Sequence, residues 1–316
     1  MAEHELLPGI DTVHWGYLDA TLPPALEIAD GDIVTVHSVS GSAEETPVAG
    51  YCVRPELKSI QRALSPELGP HILTGPIKIT GAMPGDTLRI DILDVRLRDN
   101  WGYNIIRPGK GMLHEEFGEP HTVHFGIDLE TGAIATPWGG ALTARPFFGV
   151  MATAPNAEDG RRSSVAPGYF GGNLDNKELT AGSTLYLPVS VEGALVSIGD
   201  GHAAQGDGEV CLTAVETALA GRFRFTVIKA GQMPLPYAET PTHMIAMGFG
   251  ENLDLAVREA LRSAISLICN RTGMTAANAY TLCSVAADVR ITQLVNVTTG
   301  AHVMIPKSVF PPARPE

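Results

Sequence analysis

This 316-residue chain has little of what marks the commonest specialised classes. No apolar run reaches the roughly 20 residues that a membrane-spanning helix needs. Its opening stretch, MAEHELLPGIDTVHWGY, has no basic segment leading into an apolar one, so no secretory signal is expected. Cysteine is scarce. Cys52, Cys211, Cys269 and Cys283 lie far apart with no CxxC pair, which predicts reduced thiols in a cytoplasmic protein, not a disulfide framework. Basic residues are few, with 22 Lys and Arg against 35 Asp and Glu and a net charge of −13. That balance disfavours nucleic acid and anionic membrane surfaces as partners. Low-complexity segments and internal repeats are missing too.

The apolar share of 44% is that of a globular chain, long enough for one large domain or two ordinary ones. Its 34 glycines and 23 prolines imply many turns and a β-rich fold. One stretch concentrates chemistry. From Ile198 to Thr217 it reads IGDGHAAQGDGEVCLTAVET and carries Asp200, His202, Asp207, Glu209 and Glu216 among four glycines. The apolar run Ala194–Ile198 predicts a buried strand, and Glu209–Glu216 alternates like a second strand. Together they suggest a β-hairpin with Gly-Asp-Gly at its tip. Strand residues two apart share a face, so Asp200 and His202 point the same way if the strand stays extended. An aspartate and an imidazole on one face are half of a site for zinc or a similar ion. Glu209 and Glu216 have odd separation. On a regular strand one faces the site and the other solvent, unless a bulge intervenes. The plain alternative is a solvated hairpin tip.

Other segments supply candidates. HILTGPIKITGAMPGDTLRIDIL, from His71, predicts a strand, a Gly-Pro turn, a strand, a Pro84-Gly85 type II turn and a further strand. His71 precedes the first of these, at a site edge. Trp101-Gly102-Tyr103-Asn104 predicts a loop whose rings can wall a small pocket, Asn104 lending an amide, although two buried rings that merely anchor the loop are the commoner case. Gly171 to Asn176 is a Gly/Asn/Asp loop in which Asp175 and Asn173 can hold a cation or a polar substrate. The commoner role of such a run is a simple turn. Pro146–Pro155 and Leu185–Val191 predict strands, as do Asp32–Val39 and Val289–Val297. Pro55–Leu68 is helical in spacing. Leu253–Cys269 has a clear apolar stripe ended by Gly273, and Thr275–Ala287 predicts another helix. His14, His37, His121 and His124 read as structural or exposed.

Taken together, the chain resembles the acetamidase/formamidase family. The resemblance is carried by HILTGPIKITGAMPGDTL, WGYN, PG-x-G at Pro108, PFFGV at Pro146 and PGYFGGNLDN at Pro167. LYLPV at Leu185, GDGHAAQGDGEVCLTAVET at Gly199 and AYTLCSVAADVRITQLVN at Ala279 complete it. These follow the family's order and cover nearly the whole chain. The resemblance implies a mainly β fold, a CUB-like β-sandwich with added C-terminal helices, in one catalytic domain over 1–316. It also implies homo-oligomers, a bound cation, and hydrolysis of a short aliphatic amide to a carboxylate and ammonia. The length is that of the compact branch. The longer formamidase branch has extra segments missing here, which weighs against formamide as substrate.

The residues suit that chemistry. A divalent cation supplies an activated water and polarises a carbonyl, and a nearby carboxylate moves the proton. We expect Asp200 and His202 to bind the cation, helped by Asp175 and by His71 or Glu216. Glu209 is the expected general base. Gly172, Asn173 and the Trp101–Asn104 segment shape the substrate pocket. Zinc is the first expectation, with manganese or calcium also suited to a mixed O/N donor set. Two rivals differ in class. One is a cysteine amidase using Cys211, whose small apolar neighbours favour an inert thiol. The other is a non-catalytic β-sandwich that binds a cation and a ligand.

Overall fold

Alternating apolar positions build two large sheets. The computed structural model describes residues 1–230 and 235–310. Among these, one sheet has nine strands and a second has eleven. The longest strands of the first are Thr87–Leu97 and Leu219–Ile228, paired antiparallel. Leu219–Ile228 buries every second side chain, so Phe223 and Phe225 enter the core while Arg222 and Arg224 point away. From the opposite sheet Phe148, Met151, Val196 and Ile198 meet them in one shared core. The fold is mainly β with a few helices.

The centre of the eleven-stranded sheet positions the chemistry. Val196–Ala204 is flanked by Phe147–Ala152 on one side, and by Ile72–Ile79 and then Val215–Glu216 along the other. Ile72–Ile79 is one continuous strand, so the turn expected at Gly75-Pro76 is absent. The register against Val196–Ala204 shifts there instead. Pro84 and Gly85 do form the expected turn, with Gly85 at φ +94° and the Asp86 N–H donating to Met83 O. Trp101–Ile106 is also a strand, not the loop that its aromatic-glycine pattern suggested.

The Leu253–Thr272 helix covers the outer face of the nine-stranded sheet. Asn252 caps its first turn by accepting from the Leu255 N–H, and Gly273, at φ +73°, ends it. Its Ala256, Ala260 and Ala264 pack on Met244, Ala246 and Val303. No helix among the described residues is long and apolar enough to cross a membrane.

Candidate active site

The hairpin expected around Gly206 exists in altered form. Val196–Ala204 pairs with Val215–Glu216, setting His202 opposite Glu216. Residues 205–214 between them are a loop, not a strand. The odd spacing of Glu209 and Glu216 therefore does not separate them, and both turn towards His202. Its Nε2 lies 3.2 Å from Glu216 Oε1, 3.3 Å from Asp200 Oδ2, 3.9 Å from Asp175 Oδ1 and 4.0 Å from Glu209 Oε1. His71 Nε2 is 3.9 Å from Asp200 Oδ2. Five of the six groups are buried, and His71 is nearly so.

Three of these acids hold backbone conformations rare for a side-chain-bearing residue. Asp175, Asp200 and Glu209 have φ of +46°, +59° and +46°. Each costs on the order of 1 kcal/mol or more, a strain that surrounding structure must offset and that gathers at functional sites. Room for the cluster comes from Gly149, which faces Asp200 across the strand pair. A Cβ there would lie 2.4 Å from both Asp175 Oδ1 and Asp200 Oδ2, and 2.9 Å from His202 Cε1.

A second layer of bonds orients the cluster. Gln205 Nε2 donates to the Asp175 carbonyl at 2.8 Å, which leaves Gln205 Oε1 facing His202 Nδ1 at 2.9 Å. Nδ1 must then carry a proton, and Nε2 is the ring nitrogen that faces the carboxylates. Asn296 donates to Asp175 Oδ2, the Ala214 N–H donates to Glu216 Oε1, and Ser164 bonds His71 Nδ1. Even so, His202 Nε2, Asp175 Oδ1, Glu209 Oε2 and Asn173 Oδ1 are buried without a hydrogen-bond partner.

Charge in the cluster is finely divided. Burial pushes Glu209 well above the usual carboxylate range and Glu216 up to about 8, with neighbouring acids adding to both. Asp175 is also raised, chiefly by burial. Burial opposes the Asp200 charge as well, but His71 and His202 outweigh it and hold that carboxyl below its ordinary range. Burial would lower His202, yet Glu216 and Asp200 raise it well above a free imidazole. Among the described residues, Asp175, Asp200 and His202 form one group with ligand atoms close enough for a single ion. His202, Glu209 and Glu216 form another.

Asp175, Asp200, Glu209, Glu216 and His71 line a cavity of about 150 Å³, which also meets Asn173, Tyr103 and Asn296; His202 stands behind these acids. The expected substrate residues Trp101, Asn104 and Gly172 do not line it. Trp101 is a core side chain, its indole N–H bonded to Cys52 O. Asn104, on the opposite face of its strand, donates to the Thr213 and Ala214 carbonyls. Gly172 packs against Phe170. In their place Tyr103 reaches the cavity, and Gly102 lets the Glu216 carbonyl approach to where a Cβ would be 2.8 Å away. Cys211 bonds Asn104 and lines the shallow groove beyond it, not this cavity. Sequence reasoning missed Gln205 and Asn296. The first stood in plain view three residues after His202. The second has no local signal, being 121 positions from the acid it holds.

The fold is mainly β, and beside its central strands one imidazole is buried among four carboxylates next to a cavity. The sequence matches the acetamidase/formamidase family over residues 21–164 and 156–311, and the chain belongs to that family. It is 31% identical to the acetamidase of Bacillus halodurans, whose crystal structure superposes with a TM-score of 0.84 over 97% of this chain and 98% of that one. It is 29% identical to the formamidase of Methylophilus methylotrophus over 314 aligned positions, covering 76% of this chain and 77% of the other. The match with the acetamidase of Mycolicibacterium smegmatis is 29% identical and takes in 44% of this chain and 49% of that one. A Schizosaccharomyces pombe relative, 32% identical, matches over 51% of this chain. The chain thus spans about half the length of these last two relatives.

Proposed function

We propose that this chain is a metal-dependent amidohydrolase that cleaves a short aliphatic amide to a carboxylate and ammonia. The observation behind it is the set of buried atoms without a hydrogen bond, Asp175 Oδ1 and Glu209 Oε2 on residues that line one cavity and His202 Nε2 within 4.0 Å of a carboxylate oxygen of each. Burying such groups unpaired costs several kcal/mol, so their persistence points to a ligand that completes them. The nitrogen and oxygen donors and the space that Gly149 leaves fit a divalent cation. Asp175, Asp200 and His202 would hold it, with Glu216 or His71. When bound, it supplies positive charge that acidifies water and polarises a carbonyl.

The chain's own groups do the rest. Glu209, in its ionised form, takes the proton of the attacking water on Oε2 and returns it to the leaving nitrogen. Asn173 Oδ1 accepts an N–H of the substrate amide and sets which face of the carbonyl meets the water. The closed floor excludes bulk solvent, which strengthens each of these interactions.

Ammonia release from a panel of amides, with metal content measured on the same samples, tests this. The wild-type protein should carry about one divalent ion per chain and lose activity to a chelator. His202→Ala should lose both ion and activity, a drop of roughly 10³-fold or more on the scale typical of such groups. Inactivation by a thiol reagent with no effect of chelator would replace this mechanism with one using Cys211.

A further inference from the structure

We infer that Gln293 is a positioning residue for this site, acting through Asn296 on Asp175; the inference rests on the metal-dependent amidase reading above. Gln293 ends the Asp288–Gln293 strand and is completely buried. Its side-chain amide serves the turn that follows it. Oε1 accepts from the Val295 N–H at 2.9 Å and from the Asn296 N–H at 3.1 Å, and Nε2 donates to Thr298 O at 2.7 Å. Gly300, opposite it on the neighbouring strand, leaves the room: a Cβ there would lie 3.1 Å from Gln293 Nε2. A buried amide is costly unless its polar atoms are paired, and here the backbone of one turn pairs them.

That turn needs a template, because its own backbone is unfavourable. The Thr298 N–H donates to Asn296 O, two residues back, at 2.6 Å, round Val297 at φ +66°. This is the rare, strained hand of the γ-turn, and a β-branched residue seldom takes positive φ. Burial does not offset the strain, since Val297 is 79% exposed at the cavity lip. What the turn achieves is the placement of Asn296. Its side chain is buried and donates to Asp175 Oδ2. Asp175 Oδ1, buried without a hydrogen bond, is thereby left as the oxygen free for an ion. Strain persists at a site only where the surroundings over-determine it, and the three bonds from Gln293 do so here.

A double-mutant cycle decides it, read in zinc affinity by chelator competition and in kcat for amide hydrolysis. Gln293→Met keeps length and burial but removes all three bonds. It should weaken zinc binding about 10- to 100-fold, the scale for losing a group behind a ligand. Asn296→Ala should do the same, and adding Gln293→Met to it should then cost less than about twofold, because both act through one contact. Val297→Gly placed in the Gln293→Met protein lets the turn keep positive φ without strain and should recover about threefold or more. Losses that multiply in the double variant, or unchanged zinc affinity in folded Gln293→Met, would overturn the inference and leave Gln293 a core residue. Should Gln293→Met not fold, Gln293→Glu, which keeps the accepting oxygen, runs the same cycle with a loss of about threefold or more expected. A wild-type protein that binds no zinc would sink the metal reading instead, and the cycle in kcat then decides the role of Gln293. Zinc binding with no ammonia from any amide would sink the amidase reading, and the cycle in affinity decides.

Discussion

His202 depends for its orientation on a residue that does no chemistry. Gln205 accepts from His202 Nδ1 and donates to the Asp175 carbonyl, so one amide fixes an imidazole and the backbone of a second candidate ligand. Gln205→Leu keeps the bulk and removes both bonds. It should weaken cation retention about 10- to 100-fold, the usual effect of losing a partner behind a metal-binding imidazole. Chelator competition measures this without reference to turnover, and an unchanged affinity would reduce Gln205 to filler. At this scale the sequence was informative where chemistry is local. Asp200, His202, Glu209 and Glu216 are all in one 17-residue span and all converge. It misled where backbone conformation decides. The positive φ at Asp175, Asp200 and Glu209 and the loop at 205–214 break the two-residue periodicity on which the argument about faces relied. Trp101 and Asn104 were misplaced for a related reason: read as a loop, they were free to face a pocket, but in a strand they face a core and a neighbouring loop.

Two loops from distant parts of the chain must stay together for the cluster to exist, and one strand clamps them. Arg290, on the Asp288–Gln293 strand, donates to Glu178 at 2.6 Å and to both carboxylate oxygens of Asp207. Glu178 lies three residues after Asp175, and Asp207 two before Glu209. Lys177 adds a second bridge to Asp207 at 3.1 Å. Partly exposed bridges contribute little to stability, on the order of 1 kcal/mol or less. Their effect here is positional, and misplacing a reacting group by about 1 Å can cost roughly 100-fold. Arg290→Ala should therefore lower amide turnover at least tenfold while the denaturation midpoint hardly moves. Arg290→Lys should restore part of it. Full activity in the alanine variant would show the loops held by backbone bonds alone, such as that from the Leu294 N–H to Gly208 O. No such clamp was legible beforehand, because strand order is set by pairings between residues far apart in sequence. The helix expected over Leu253–Cys269 was legible, because its apolar stripe and its Gly273 stop are local; it runs on to Thr272.

Over the whole molecule, two histidines outside the cluster tie stability to acid. His14 is buried in the eleven-stranded sheet beside Ser197, and His302 in the nine-stranded sheet beside Thr292. Burial lowers both from about 6.5 to about 4, and the nearby Arg290 charge pushes His302 further the same way. An unfolded chain takes up these protons near pH 6.5, whereas the folded chain resists until near pH 4. The stability is thus fully present above pH 6.5, declines through the window, and is gone below pH 4, at about 3 kcal/mol for each histidine. Glu216, raised to about 8, acts in the opposite sense in metal-free protein, favouring the folded state below its unfolded value and losing that contribution as pH rises through 8. Denaturation should therefore be followed from pH 7 to 4.5 with a divalent ion present throughout. His14→Gln and His302→Gln keep a polar partner for Ser197 and Thr292 but cannot titrate. Each should flatten the pH-dependent loss, seen in the slope of stability against pH, not its absolute value. A slope unchanged in both variants would mean that groups other than these two histidines govern the response to acid.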